Sequence, residues 1–281
     1  MFNSLVRLCL AVALLGSLSI QGRSAAAEAQ PRYYLSLGDS IALGTGSSGP
    51  GNSYGDRLTV FLQTFRSFAF GLNLAVSGES TSEFVSDGQL ANALNQINNP
   101  GNDAAVVTLS LGGNDLLQLL KPGEACNDPS SPACPPAIQA ALTTFSTNYT
   151  RILNDLQTAL AADGGENRLL VLTYYNPFSG TGSEYEAAMD GILLGSDGRI
   201  DCAPGQENPA FTAFGLNDRI ACIAAARGAT VVDVYPLFAG RALELTHIGA
   251  LDVHPNDRGY NVITSALLRP LRSIFVPIAL R

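Results

Sequence analysis

The sequence predicts a single three-layer α/β domain built around a parallel sheet. Five short apolar runs of strand character alternate along the chain with segments of helical periodicity, and this alternation is typical of parallel α/β folds. Several runs are apolar at nearly every position, as expected for strands buried on both faces. No internal repeat or low-complexity linker interrupts the pattern, so we expect residues 30–281 to form one domain.

The pattern yields five strands and five helices. The predicted strands, in chain order, are Tyr33–Leu37, Gly71–Val76, Ala104–Leu111, Arg168–Tyr174 and Ala229–Val234. The predicted helices are Ser53–Phe65, Glu83–Ile97, Pro136–Ala162, Pro209–Arg227 and Asp257–Leu268. Apolar residues recur at helical spacing in these segments, so each helix has a face that can pack against the sheet.

Two segments depart from the alternation. Residues 121–136 are rich in Pro, Ser and Cys and are predicted to form a loop closed by a disulfide. Residues 176–208 form a long Gly-rich insertion, and a long irregular segment after a strand often serves as a lid or binding loop. The alternative is that its apolar side chains only pack the insertion onto the domain; these are Tyr185, Met189, Ile192, Leu193 and Leu194.

Residues 1–27 have the layout of a secretory signal peptide. Arg7 precedes an apolar run from Leu8 to Ile20, and the small-residue stretch Ala25–Ala27 follows. A membrane span needs about 20 apolar residues, so a cleaved signal is favoured over an uncleaved anchor. We therefore expect a secreted or periplasmic protein with no stable membrane span after cleavage.

The charge balance argues against a nucleic-acid partner. The chain has 16 Lys and Arg residues against 24 Asp and Glu residues, a formal net charge of −8. Lys121 is the only lysine, and no basic run exists. A nucleic-acid-binding surface would need a basic patch.

The cysteines predict disulfides rather than a metal site. Beyond the signal peptide the chain has Cys126, Cys134, Cys202 and Cys222, an even number suited to an exported protein. Three pairings are open, and we favour Cys126–Cys134 and Cys202–Cys222 because each closes a local loop. No pair has C-x₂-C spacing and histidines are few, so no metal is expected.

Ser40 is the candidate nucleophile. The first predicted strand runs into Gly38-Asp39-Ser40, and the loops at the carboxyl ends of parallel strands form the ligand crevice. A serine at this position, close to a helix N-terminus, faces outward-pointing N–H groups. Gly44–Gly49 fits the dinucleotide pattern G-x-G-x-x-G, but Ser53 is the better helix start and no acidic residue follows at the required spacing, so we interpret it as a flexible rim.

His254 is the candidate base. Pro255 restricts its backbone to an extended conformation, and Asn256 can cap the helix that follows. In an extended segment Asp252 shares a face with His254, so its carboxylate can accept a hydrogen bond from one imidazole nitrogen while the other faces Ser40. His247, the second histidine, is interpreted as a surface or packing residue.

Two more strand ends offer donors for an oxyanion. Gly78 follows the second strand, and its lack of a side chain lets its N–H approach a ligand closely. Asn114 follows Gly112-Gly113 after the third strand, and its amide can point into the crevice as a donor.

These four stretches resemble the sequence blocks of the SGNH hydrolases, also called the GDSL esterase/lipase family. The resemblance covers residues 33–260 and implies a flavodoxin-like α/β/α sandwich with five parallel strands. It also implies that Ser40 is the nucleophile and an oxyanion donor, that Gly78 and Asn114 complete the oxyanion hole, and that His254 is the general base. Two departures are Ile41 in place of the family's Leu, and an acid two residues before the histidine, at Asp252, rather than three.

The resemblance implies a serine hydrolase that cleaves small-molecule or lipid carboxylic esters through an acyl-enzyme, with no metal or cofactor. Carbohydrate acetylesterase and thioesterase activities on the same fold are the alternatives. A second alternative is an inactive lipid- or glycan-binding protein. The oligomeric state is not set by the sequence.

Overall fold

A computed structural model describes residues 30–128, 130–196, 198–200, 202 and 215–272. Its main sheet has five parallel strands in the order β2-β1-β3-β4-β5, which confirms the predicted flavodoxin-like fold class. The strands are β1 Arg32–Gly38, β2 Phe70–Asn73, β3 Asp103–Ser110, β4 Arg168–Leu172 and β5 Thr230–Val232. A separate antiparallel pair consists of β6 Thr246–His247 and β7 Asp252–Pro255.

Helices cover both faces of the sheet. Those up to the long central helix are α1 Ser40–Leu43, α2 Tyr54–Arg66, α3 Thr81–Ser86, α4 Gln89–Ile97, α5 Gly113–Leu117 and α6 Cys134–Asp163. The remainder are α7 Tyr185–Leu194, α8 Leu216–Ala226, α9 Tyr235–Phe238, α10 Ala242–Leu245 and α11 Asp257–Arg272, with short 3₁₀ turns at Gln118–Leu120 and Ile248–Ala250.

Two apolar cores, one on each face of the sheet, make the three layers. Successive side chains of β1 alternate between them, with Leu35 in the core beneath α3, α4, α6 and α8, and Tyr34 in the core beneath α2 and α11. The first core contains Phe145 of α6, and the second contains Leu58 of α2 and Tyr260 of α11. The sheet is therefore covered on both faces.

The second strand is shorter than predicted. The sequence indicated Gly71–Val76, but β2 ends at Asn73. The Asn73 side chain accepts a hydrogen bond from the Ala75 N–H at 2.9 Å and donates to the Ala42 carbonyl at 3.0 Å. A side chain that bonds to the backbone in this way competes with regular pairing, and β2 lies at the exposed edge of the sheet.

Helix boundaries differ from the prediction at two further places. The helix predicted at Glu83–Ile97 is two helices, α3 and α4, because Gly88 adopts a left-handed conformation with φ of 98°. Helix α6 begins at Cys134, with prolines in its first turn, where a missing N–H costs the helix nothing. The loop predicted over residues 121–136 therefore ends before Cys134.

The structure contains the predicted Cys126–Cys134 disulfide. The Cys202–Cys222 pairing stays a prediction. The predicted signal peptide, residues 1–27, lies outside the described residues, as do residues 209–214 of the fourth predicted helix. Nowhere in the described ranges is there a helix with the length and apolar character needed to cross a membrane.

The insertion at 176–208 is described except for residues 197, 201 and 203–208, and it contains α7. Leu193 and Leu194 of α7 are buried in the core beneath α6 and α8. Asp190 accepts hydrogen bonds from the Asn176 amide and the Tyr235 hydroxyl, both at 2.6 Å. These contacts anchor α7 to the domain, although Tyr185 is 47% exposed. Both the lid function and the packing alternative stay predictions.

Candidate active site

Ser40 lies at the end of β1 because the preceding turn is tight. Gly38 has a φ of 123°, and a Cβ atom there would lie 1.8 Å from the Ser110 carbonyl oxygen, so only glycine fits. The Asp39 N–H donates to that same carbonyl at 2.9 Å. Ser40 then becomes the first residue of α1, where its own N–H is not required by the helix. Ser40 is 8% exposed.

The Asp39 side chain holds the start of α1 in place through hydrogen bonds. Its Oδ1 accepts the Ile41 N–H at 3.0 Å, and its Oδ2 accepts the Tyr174 hydroxyl. Burial in the core raises the pKa of Asp39 to about 6 because the charged form loses its hydration, and these hydrogen bonds partly offset the rise. The buried carboxyl therefore holds the turn that carries Ser40.

The hairpin of β6 and β7 brings His254 to Ser40. The distance from His254 Nε2 to Ser40 Oγ is 2.8 Å, and the distance from His254 Nδ1 to Asp252 Oδ1 is 2.5 Å. The same Asp252 oxygen accepts the His254 backbone N–H at 3.0 Å. An acceptor at Nδ1 favours the tautomer in which Nε2 is free to accept the Ser40 proton. Asn256 caps α11 as expected, because its Oδ1 accepts the Arg258 N–H at 2.9 Å.

The Asp252 carboxylate is suited to this position. Its partial burial acts to raise its pKa, but the hydrogen bonds from the His254 backbone and ring outweigh that effect, and the net pKa is lowered. Leu251 occupies the position three residues before His254, with a φ of 61° and a side chain that is 91% exposed. That position therefore points to solvent, and the extended residue after it carries the acid toward the imidazole.

Gly78 and Asn114 lie after β2 and β3, the two strands that flank β1. Gly78 has a φ of 82°, and a Cβ atom there would meet nothing within 4 Å, so its exposed backbone is open to a ligand. Asn114 Nδ2 donates to the Glu79 carbonyl at 3.0 Å, which uses one of the two N–H donors of the amide. Along the chain, β1 is followed by β2 on one side and the adjacent β3 is followed by β4 on the other side, and such a reversal between adjacent strands is the usual position of a ligand crevice.

Hydrogen bonds hold the Gly-rich rim, residues 44–49, beside this site. Ser48 donates to Asp257 through its N–H at 2.8 Å and its hydroxyl at 2.6 Å, and the His247 ring lies 2.8 Å from the Gly46 carbonyl. Helix α2 begins only at Tyr54, so the glycines do not open a helix as a dinucleotide site requires. His247 is exposed, as predicted, and its ring packs the rim.

Three further polar side chains of the site were not identified from the sequence. Glu79, Gln89 and Tyr174 are buried beside the turns that carry Ser40 and Gly78. Glu79 follows Gly78 directly, but nothing in its spacing signals burial. Within the described ranges, no three His, Cys, Asp or Glu side chains are grouped so that they could hold a metal ion.

Comparisons with known proteins identify the family and the fold. A family model described as "GDSL-like Lipase/Acylhydrolase family" matches residues 36–262. A comparison with curated proteins returned no match.

Several solved structures share the fold. A lipase from a goat rumen metagenome is 23% identical, with a TM-score of 0.59, over 85% of this chain and 96% of that chain. An acetylxylan esterase from Geobacillus stearothermophilus is 15% identical, with a TM-score of 0.53, over 85% of this chain and 93% of that chain. An extracellular lipase from Streptomyces rimosus is 20% identical, with a TM-score of 0.52, over 84% of this chain and 99% of that chain. At these identities the likeness establishes the fold.

Proposed function

The chain belongs to the GDSL-like lipase/acylhydrolase family, and from this premise we propose that it is an exported serine hydrolase that cleaves carboxylic esters. The observation that carries the proposal is the hydrogen-bonded series from Ser40 Oγ to His254 Nε2 and from His254 Nδ1 to Asp252 Oδ1. A hydroxyl becomes a nucleophile when an adjacent base takes its proton and a third group orients that base.

The reaction follows from these positions. Ser40 Oγ attacks the ester carbonyl carbon while His254 Nε2 accepts the hydroxyl proton, and the carbonyl π electrons move to the oxygen. The tetrahedral intermediate collapses, the alcohol leaves with the proton from His254, and an acyl-serine remains. Water then attacks the acyl-serine with His254 again as base, which releases the carboxylic acid and restores Ser40. Asp252 stabilises the imidazolium form in both halves of the reaction.

The oxyanion is assigned to donors from three neighbouring strand ends. These are the backbone N–H groups of Ser40 and Gly78 and the second N–H of the Asn114 amide. A single oxyanion donor is worth about 2.7–4 kcal/mol of transition-state stabilisation. The left-handed, unobstructed backbone at Gly78 and the fixed Asn114 amide both support this assignment.

We infer that the substrate is a neutral ester. A groove of about 270 Å³ borders Gly78, and the carboxyl groups of Glu79, Glu83 and Asp87 line it. Together with the net charge of −8, these groups disfavour anionic ligands. Exposed apolar side chains also follow β2 and β3, namely Val76, Leu117 and Leu120, which suits an acyl chain. The signal-like N-terminus and the Cys126–Cys134 bond support export.

The test is hydrolysis of p-nitrophenyl esters from acetate to palmitate by the wild type and by Ser40→Ala. We expect the wild type to turn over several esters and the variant to lose on the order of 10⁴-fold or more in kcat, as when a triad nucleophile is removed. Turnover by a folded Ser40→Ala at the wild-type rate would contradict the assignment. A sharp optimum at acetate would move the substrate class from lipid esters to acetyl esters.

A further inference from the structure

Gln89 connects the turn of the candidate nucleophile to a buried acid. Its Oε1 accepts the Gly38 N–H at 2.7 Å, and its Nε2 donates to the Gly38 carbonyl at 3.0 Å. The same Nε2 also donates to Glu79 Oε2. Both Gln89 and Glu79 are buried, with 4% and 5% of their surface exposed.

The direction of the Gln89 amide is set by Glu79. A glutamine amide has one acceptor oxygen and one NH₂ group with two donors, and all are used here. The Gly38 N–H donates to Gln89 Oε1, and the Gly38 carbonyl accepts Gln89 Nε2 as well as the Val76 N–H at 2.9 Å. The Glu79 oxygen that faces Gln89 accepts from Nε2, and this bond stabilises the orientation in which Oε1 faces the Gly38 N–H. Gly38 directly precedes Asp39 and Ser40.

Glu79 also contacts Asn114, the candidate oxyanion donor after β3. Its backbone carbonyl accepts Asn114 Nδ2 at 3.0 Å, and it follows Gly78 in the chain. One residue therefore contacts the candidate oxyanion amide through its carbonyl and the turn before Ser40 through its side chain and Gln89. Glu83, Asp87 and Asp39 are the charged groups around its carboxyl.

We propose that Glu79 is a positioning residue for ester hydrolysis, which acts through Gln89 on the turn that carries Ser40 and through its carbonyl on Asn114. This inference rests on the proposed function. It assigns no contact with substrate to Glu79. Its role is to keep the nucleophile and the oxyanion donors in the correct relative positions. A misplacement of about 1 Å at a reacting group costs on the order of 100-fold in rate.

The test compares Glu79→Leu, Gln89→Met and the double variant on an ester that the wild type hydrolyses. Each single variant should lower kcat on the order of 100-fold with little change in KM. The double variant should be no slower than the singles, because both remove the same connection. Glu79→Gln keeps an acceptor oxygen and should restore most of kcat. The rate at which diethyl p-nitrophenyl phosphate modifies Ser40 should fall in parallel with kcat.

Glu166→Leu is the matched control. Glu166 is exposed and lies just before β4, at the amino ends of the parallel strands and away from the turns that carry Ser40 and Gly78, so the kcat of this variant should equal that of the wild type. Circular dichroism and thermal melts establish that each variant is folded; if Glu79→Leu is not, the near-isosteric Gln89→Met decides the test. Wild-type kcat in the folded variants, or fully additive losses, would overturn the proposal. An inactive wild type would instead contradict the proposed function.

Discussion

At the scale of single residues, the position of the acid beside His254 is the most unusual feature of the site. The backbone at Leu251 is left-handed, which points that side chain into solvent and leaves Asp252 to face the imidazole. A leucine in this conformation is strained, since left-handed backbone is mostly restricted to Gly, Asn and Asp. The strained residue therefore allows an acid two positions before the histidine to reach Nδ1.

Asp252→Asn should lower kcat on the order of 10²- to 10⁴-fold, the range associated with a lost acid–base partner. An asparagine amide at this position can donate to Nδ1, which favours the tautomer with the proton on Nε2. That tautomer cannot accept the Ser40 proton. The measurement is kcat on the best p-nitrophenyl ester at a pH where the wild type is most active.

A double variant, Leu251→Asp with Asp252→Asn, serves as the control for position. It places a carboxylate three residues before His254, but on a side chain that points into solvent, so it should stay as slow as Asp252→Asn. Recovery of activity would mean that the hairpin rearranges to accept either position. Unchanged activity in Asp252→Asn itself would remove Asp252 from the proposed mechanism.

Sequence reasoning identified the residues whose partners are near in sequence or belong to strand-end motifs. Asp252 could be predicted as the partner of His254 because it lies two positions away on an extended segment. Tyr174 was not, because its partner Asp39 lies 135 positions away. Gln89 likewise bonds to Gly38 across 51 positions. No local sequence pattern predicts such long-range hydrogen bonds, because they form only when strand ends and helices meet in the folded chain.

At the scale of elements, long segments with regular periodicity were predicted closely, whereas the end of the edge strand and a break between two helices were not. The predictions for β1 and β3 agree with the structure within one residue, because long apolar runs mark strands covered on both faces. The end of the edge strand β2 and the break at Gly88 were missed. Apolar residues continue past Asn73 in the sequence, so periodicity alone could not reveal the side-chain turn there. At Gly88 the polar stretch Ser86–Gln89 is a turn signal that the prediction did not use.

Removal of the Cys126–Cys134 bond with Cys126→Ala/Cys134→Ala should lower the free energy of unfolding by about 2–3 kcal/mol. The bond joins residues eight positions apart and ties the loop to the first residue of α6. Without it the unfolded chain gains conformational freedom. Urea unfolding, compared with the exposed loop variant Ser130→Ala, measures the difference, and equal stability of the two variants would contradict the expectation.

At the scale of the whole molecule, the strand order determines where the site lies. Periodicity predicted five parallel strands, but their order followed only from the family resemblance, because pairs such as Arg32 with Asp103 join distant parts of the chain. With β1 between β2 and β3, the turns that carry Ser40, Gly78 and Asn114 become neighbours. The same arrangement buries two carboxyl groups beneath those turns, Asp39 and Glu79.

The contribution of these buried carboxyls to the free energy of unfolding falls as pH rises. Burial raises the pKa of Glu79 to about 7, from a usual 4.5, although the Gln89 hydrogen bond opposes the rise. Below pH 4.5 Glu79 is protonated in both the folded and the unfolded chain, and its stabilising contribution is complete. As pH rises toward 7 only the unfolded chain releases it, so the contribution is lost. At about 1.4 kcal/mol per pKa unit, the loss is on the order of 3 kcal/mol.

Glu79→Gln removes this titration, so its stability relative to the wild type should increase between pH 4.5 and 8. The measurement is the difference between the Tm values of the two proteins across that range. Glu83→Gln should give no slope across that range, because hydrogen bonds from Ser80 lower the pKa of Glu83 and its contribution is already complete above its usual value of 4.5. A flat difference for Glu79→Gln would mean that the carboxyl beside the Gln89 amide titrates alike in the folded and unfolded chain.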